Sequence, residues 1–338
     1  MPDVIQGYAA SAPGAQLELI RYEPGPLGPD QVEIKVESCG ICHSDLSMLD
    51  NEWGITRYPF IGGHEVIGTI CAVGSQVSAR TVGQRVGLGW NSQSCLHCPQ
   101  CLAGDQHLCS QVVGTITGRH GGFADYVRAQ WIWTTPLPEQ MDAASAGPLF
   151  CGGITVFNPA LQFGVSPVAR VGVIGIGGLG HMALKFLRSW GCEVVAFTST
   201  PQKRDEALRL GAHQVVNSTD PAEMESLRGS LDFVLVTVNV SLDWSAIIAT
   251  LAPKGRIHFV GATLEPVPVH IMQMIMAQAS LSGSPTGSPS HIATMVKFAT
   301  RHQIAPQVEY FPMSKINDAI EHLRAGKARY RIVLESDF

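Results

Sequence analysis

Charge is scarce in this 338-residue chain: charged residues make up 15% of it, against about 25% in typical soluble domains. The 28 acidic residues exceed the 23 basic ones, for a formal net charge of −5. With no positive excess and no run of basic residues, nothing points to a nucleic-acid partner or a membrane surface. Long apolar runs are missing as well. The most apolar stretch, LDFVLVTVNV at 231–240, is as long as a β-strand and far short of a membrane span. The opening MPDVIQGYAASAPGAQ lacks the basic start and apolar core of a secretory signal, so a cytoplasmic location with reduced thiols is expected. No internal repeat and no low-complexity tract is visible.

What is plentiful is glycine (35) and proline (21), and few charges with many glycines suit tightly packed α/β or β-rich architecture. The length makes two domains the default expectation. Residues 1–150 read as β-rich. QVEIKVES (31–38) and much of EVIGTICAV (65–73) alternate with period two, separated by Pro-Gly clusters such as EPGPLGPD. From about 150 to 290 strand patterns alternate with helix patterns: ARVGVIGIGGLGHMALKFLRSWGCEVVAFTST (169–200), a helix in QKRDEALRLGA (202–212), then HQVVNS, LDFVLVTVN, DWSAIIATLA and GRIHFVGA. This order predicts a parallel sheet covered on both faces. GSPTGSPS (283–290) marks a boundary, followed by two amphipathic helices and a closing strand in RYRIVLES. The Met-rich VHIMQMIMAQAS (269–280) predicts a helix for core or subunit packing rather than for a ligand.

The nine cysteines carry the chemistry. Cys39-Gly40-Ile41-Cys42-His43 fits C-x-x-C-H, which could attach haem, exchange disulfides or bind a metal; haem attachment of this kind normally occurs outside the cytoplasm. Cys95, Cys98, Cys101 and Cys109 form C-x2-C-x2-C-x7-C. Four soft sulfurs on short loops suit a closed tetrahedral structural zinc site, with iron–sulfur ligation the rival. His97 and His107 are expected to be surface residues, since the sulfurs complete the shell. Cys71 and Cys192, in strand-like contexts, are expected in the core.

Further segments join these: His64-Glu65 in GGHEVIG and Cys151 in PLFCGGIT. In order and spacing, GICHSD, GHE, the quartet, CGGIT and GIGGLG make the chain resemble the zinc-dependent medium-chain alcohol dehydrogenases, above all the cinnamyl-alcohol-dehydrogenase type of aldehyde reductase. The resemblance implies an α/β protein with a GroES-like catalytic domain at 1–150, completed by 289–338, and a doubly wound Rossmann domain at 151–288. It implies one catalytic and one structural Zn2+ per chain, with Cys42, His64 and Cys151 as catalytic ligands. Two thiolates and an imidazole would neutralise the ion and leave a fourth position open. The resemblance places Glu65 beside the ion, Asp45 on the ligand histidine, and Ser44 in the proton relay; a helix N-cap is the plainer reading of Ser44. Where many relatives continue the relay with histidine, this chain offers Ser47, and His43 falls where relatives approach the diphosphate. Relatives carry Pro before GHE, whereas Gly62-Gly63 here is expected to loosen that turn. Cys39 is expected to be a small packed residue, because neither haem nor dithiol exchange would explain His64 and Cys151.

Gly175-x-Gly177-x-x-Gly180 follows an apolar strand and opens a helix, the context in which glycines admit a dinucleotide diphosphate. Gly175, Gly177, Gly178, Leu179 and Gly180 are the expected contacts. Beyond the next strand, where an acid would select NAD, stand Thr198, Ser199 and Thr200, then Lys203 and Arg204. Hydroxyls and cations favour a ribose phosphate, so NADP(H) is expected on Ser199, Thr200 and Lys203. By resemblance Thr155, Thr237 and Gly261 also contact the cofactor. The implied activity is reversible reduction of an apolar aldehyde by NADPH, with Trp53 and Trp90 lining the substrate site, in a homodimer or homotetramer. The rivals are a non-catalytic NADP-binding protein on the same fold and a zinc-independent quinone reductase.

Overall fold

Alternation at 31–38 becomes an eleven-residue strand, Gln31–Ile41, whose Val32, Ile34 and Val36 point into the core at 2% exposure or less. The computed structural model describes residues 2–263 and 265–338. The chain divides into two compact units, Met1–Ile154 with Thr286–Phe338, and Thr155–Pro285.

In the first unit, a seven-stranded sheet is organised around Gln31–Ile41. Antiparallel neighbours are Val66–Val73, Tyr126–Gln130 and the closing strand Arg331–Glu335, with Val308–Pro312, Arg85–Leu88 and Thr134–Pro136 extending the sheet. Register shifts between Glu33 and Ile34 and between Val36 and Ser38 kink the long strand. Its far end, Cys39 to Ile41, is then gripped from both sides by Val66 and by Ile332 to Leu334. That grip delivers the next residue, Cys42, to a fixed place.

The second unit is a six-stranded all-parallel sheet in the order Gln214–Asn217, Glu193–Thr198, Arg170–Ile174, Leu231–Val236, Leu251–Phe259, Ser280–Gly283. This is the doubly wound dinucleotide-binding order. The central strands are near-continuous apolar runs because helices cover both faces; Val171, Val173, Val194, Val195, Val234 and Val236 are all fully buried. The expected helix at 202–212 is shorter, Arg204–Arg209, preceded by a 3-10 turn at Pro201–Lys203. The Met-rich helix, Ile271–Ala277, lays Met274 against the core, but Ile271, Met272, Ile275 and Met276 are 64–79% exposed. Cys192 is buried as expected, but Cys71 is only half-buried, its thiol directed at the Glu33 carbonyl 3.4 Å away.

Glu33 and Arg128 stand directly opposite each other on paired strands of the first unit, 0% and 9% exposed. The guanidinium reaches Glu33 at 2.7 and 2.8 Å and donates to the carbonyls of Pro24 and Gly25. Removing one partner would leave an uncompensated buried charge. Arg128→Met should therefore cost about 3–5 kcal/mol, read as a lowered midpoint in urea unfolding; a loss near zero would show that the pair is not buried in solution.

Candidate active site

Cys42 ends the long strand and caps the helix His43–Leu49. His64 and Glu65 come just before the strand Val66–Val73, which pairs with the same long strand. Cys151 follows the 3-10 turn Gly147–Phe150 and precedes the helix Gly152–Gln162. Three segments far apart in sequence thus deliver four buried donors, Cys42, His64, Glu65 and Cys151, with ligand atoms all within 4.8 Å of one another.

The spacing is that of one tetrahedral ion. Sulfurs bound at about 2.3 Å in tetrahedral geometry lie roughly 3.8 Å apart; Cys42 Sγ and Cys151 Sγ are 3.8 Å apart. His64 Nε2 lies 3.3 Å from Cys151 Sγ. Of the two thiols, Cys42 is pushed well below its ordinary range by the hydrogen bond from Cys151, against burial, with further help from Arg331 and His64. Cys151, its hydrogen-bond donor, is pushed the other way by the same bond and by burial, so the pair shares one proton and Cys42 is the thiolate, the form that binds zinc. Zinc therefore fits the residues present.

Asp45 ties the donors together. Its Oδ1 accepts from His64 Nδ1 at 3.0 Å and from the Gly63 amide at 2.8 Å, while Oδ2 accepts from the Cys42 amide at 2.8 Å. With Nδ1 carrying the proton toward Asp45, the lone pair of His64 Nε2 faces the thiols. The turn before His64 is not loose, contrary to the expectation from Gly62-Gly63. Gly63 has φ +93°, and a Cβ there would come within 2.7 Å of the Phe123 amide. The carbonyls of Gly62 and Gly63 are held by the amides of Phe123 and Gly122. The two glycines let the chain lie flat against Phe123, and backbone bonds then pin it.

Glu65 is fully buried, and one of its oxygens is bound by Arg331, itself 6% exposed. The other, Oε2, has no hydrogen-bond partner. Burial pushes the Glu65 carboxyl up to about 7 despite the guanidinium. A buried carboxylate oxygen left open beside three metal-type donors is a further sign of a cation there. Gly40 is required by the same group, since any Cβ on it would collide with the Glu65 carboxylate.

Ser44 is not the helix cap; Cys42 is. The Ser44 hydroxyl lies 3.8 Å from Cys42 Sγ, at the metal group. Ser47 is buried and His43 exposed. Trp90 packs edge-on to the His64 ring at 4.8 Å, and Trp53 packs on Trp90 at 6.0 Å. Cys39 is fully buried, as a packing residue would be.

The quartet Cys95, Cys98, Cys101 and Cys109 also gathers within 4.8 Å, which suits a single ion and is too tight for an iron–sulfur cluster between the sulfurs. The chain reaches this through tight turns: Leu96 at φ +64°, a four-residue helix Pro99–Leu102 and a 3-10 turn Gln106–Leu108. Backbone amides of Cys98 and Gln111 donate to Cys95 and Cys109 sulfurs at 3.3 Å. His97 is exposed, as expected. His107 is not a plain surface residue. It packs against His291 at 6.0 Å, and its Nδ1 is buried without a partner.

In the second unit the glycine loop runs from Arg170–Ile174 into the helix Gly180–Trp190. Gly175 takes φ +91°, Gly180 has the Gly175 carbonyl where a Cβ would be, and Gly177 has nothing within 4 Å of such an atom. Two glycines are thus spent on the turn, while Gly177 leaves open space that a diphosphate can approach. Gly178 and Leu179 complete the loop, with Leu179 at the helix N-cap. Lys203 Nζ donates to the Ile176 carbonyl at 2.9 Å, bringing its cation to the loop, while Ser199 and Thr200 are exposed beyond the strand Glu193–Thr198. Thr237 spends its hydroxyl on the carbonyls of Ile174 and Gly175 at 2.8 and 3.0 Å. Gly261 packs against the Val238 carbonyl. Thr155, buried on Gly152–Gln162, makes no hydrogen bond to this loop among those of the described residues.

Comparison with known proteins places the chain in a family. Residues 28–139 match the family described as "Alcohol dehydrogenase GroES-like domain" and residues 178–301 the family "Zinc-binding dehydrogenase". The chain is 53% identical over 331 residues to "Aldehyde reductase AdhA" of Synechocystis sp., covering 98% of each. The chain belongs to the zinc-dependent medium-chain alcohol dehydrogenase family. Among solved structures of this family, a cinnamyl alcohol dehydrogenase of Sorghum bicolor superposes with TM-score 0.94 at 34% identity, covering 98% of this chain and 97% of that one. The CAD of Helicobacter pylori complexed with NADP(H) gives 0.90 at 29% identity, covering 99% of both.

Sequence reasoning missed Arg331, 266 residues from its partner. The signal was there: an arginine opening the otherwise apolar strand RIVLE. For this dehydrogenase, metal analysis of protein purified without chelator should find about two zinc ions per chain. Asp45→Ala, which unties His64, should weaken one of them by roughly 10–100-fold in chelator competition. An unchanged affinity would mean Asp45 does not orient the ligand.

Proposed function

We propose that this chain reduces aldehydes to primary alcohols, reversibly, with NADPH, at a zinc ion held by Cys42, His64 and Cys151. The observation that carries the reading is the tetrahedral spacing of those buried donors, brought from three separated segments beside a second carboxylate, Glu65. When bound, zinc polarises a carbonyl and NADPH supplies hydride. Everything else falls to the chain's own residues. Asp45 keeps His64 in the tautomer that ligates. Ser44, 3.8 Å from Cys42 Sγ, passes the proton on its Oγ. Trp90 and Trp53 wall the site with aromatic surface, which favours an apolar aldehyde and keeps water away. Ser199, Thr200 and Lys203 receive the ribose phosphate, and the open loop at Gly177 receives the diphosphate. A non-catalytic NADP-binding protein or a quinone reductase working without zinc would have no need of the Cys42, His64, Cys151 set.

All nine cysteines are free thiols, which supports a cytoplasmic setting. No helix among the described residues is long and apolar enough to cross a membrane. A homodimer joined through the second unit would cover the exposed Ile271, Met272, Ile275 and Met276 and would pair the open edge strand Ser280–Gly283.

NADPH consumption with benzaldehyde and with butanal tests the reaction. Cys42→Ala should abolish turnover while NADPH still binds, Ser44→Ala should lower kcat by roughly 100-fold or more, and Ser199→Asp should shift preference toward NADH. Turnover surviving in Cys42→Ala would end the zinc reading. Sedimentation of Met276→Asp should show monomer where the parent chain sediments as a dimer; a monomeric parent would exclude the assembly.

A further inference from the structure

A cavity of about 530 Å³ opens in the first unit and includes none of the metal-type donors. Its walls are partly apolar, from Ile5, Pro24, Pro59 and the ring of Tyr58, whose hydroxyl is already donated to the Leu49 carbonyl at 2.9 Å. Its polar lining is unusual for so acidic a chain. Arg57, Arg119 and Arg128 all reach it, with Glu23 as the one acidic residue in the lining.

Only Arg128 has its charge answered, by Glu33. The Arg119 guanidinium is largely withdrawn from water, yet its partners are neutral: Ser92 Oγ at 3.0 Å and the Arg128 carbonyl at 2.5 Å. Burial lowers its affinity for the proton, and a guanidinium in a protein stays charged. Arg57 forms no ion pair among the described residues. Within the lining itself, two guanidiniums without a carboxylate partner stand against one exposed carboxylate, with Asp125 near Tyr22 behind them. Tyr22 packs edge-on to His120 at 4.5 Å, and burial pushes its phenol up to about 12, so the hydroxyl stays a donor. His120 is kept from charging by burial and by Arg119.

We infer that this cavity is a second ligand site, for a small organic acid whose carboxylate sits on Arg57 and Arg119 and whose apolar body fills the space beside Ile5, Pro24 and Pro59. Its volume is in the range of small-molecule pockets, and a guanidinium matches a carboxylate. An inorganic anion would leave the apolar walls uncovered. The site adjoins the metal turn through the backbone. Just past Arg57–Pro59 and Gly118–His120, the amides of Gly121 and Gly122 donate to the carbonyls of Ile61 and Gly63 at 2.9 and 2.7 Å. A ligand bridging the two segments would brace the turn that carries His64. Nothing in this assignment requires the reductase reading.

The test is calorimetric titration of the zinc-replete, NADPH-loaded chain with benzoate, with its uncharged isostere nitrobenzene, and with inorganic phosphate. Benzoate should bind saturably and more tightly than either, and its affinity should fall roughly tenfold in Arg57→Gln. Arg119→Gln should do the same; should it fail to fold, the exposed Arg57 variant decides alone. Four results would each overturn the inference: no saturable benzoate binding, benzoate affinity unchanged in Arg57→Gln (as binding at the zinc would give), nitrobenzene binding as well as benzoate, or phosphate binding better.

Discussion

One carboxylate holds the centre of this molecule in shape. Asp45 accepts three hydrogen bonds at 2.8–3.0 Å, from the Cys42 amide, the Gly63 amide and His64 Nδ1. Those three donors come from the end of a strand, a glycine turn and a side chain, and no other group joins them so directly. Without that junction, Cys42 and His64 would each keep their backbone supports but lose their common reference. Metal ligation tolerates errors of only a few tenths of an ångström. Asp45 is 2% exposed, so the bonds form in a low dielectric where they are strong and where leaving them unmade is costly.

Around this junction several ionisable groups share one buried space. Two thiol donors, Glu65 and Asp45 crowd into a fully buried space with Arg331 as the one permanent positive charge. Arg331 also has a buried Nε without a partner, so the guanidinium is held there by the field of its neighbours more than by a full set of hydrogen bonds. A divalent ion among the sulfurs would be matched by two thiolates, while Arg331 answers Glu65.

Much of this was legible in the sequence, for identifiable reasons. Period-two alternation marked the strand Gln31–Ile41 because one face is core, and the glycine spacing marked the loop because each glycine has a steric task there. What failed to show was set by contacts distant in sequence. The apolar run at 231–240 reads as one strand, but the strand stops at Val236, where Thr237 turns its hydroxyl back onto the Ile174 and Gly175 carbonyls. The Gly62-Gly63 pair reads as slack, yet Phe123 fills the space that side chains would occupy. Arg331 could be seen as an odd charge in an apolar strand, but not as the partner of Glu65. Pattern reveals which face of an element is buried; it does not reveal what lies against that face.

The four-cysteine lobe shows the opposite economy of structure from the parallel sheet. In the sheet unit, Val171, Val173, Val195 and Val234 are fully buried, and apolar burial at about 25 cal/mol per Å² accumulates over many residues. Across 95–109 there is no such reserve. Leu102 and Leu108 are 76% and 51% exposed, and the helices are four and three residues long. Segments this short do not hold a shape by propensity alone. Backbone amides aimed at Cys95 and Cys109 sulfur suit thiolates sharing one cation. Metal binding there therefore takes the part that a hydrophobic core takes elsewhere in the chain.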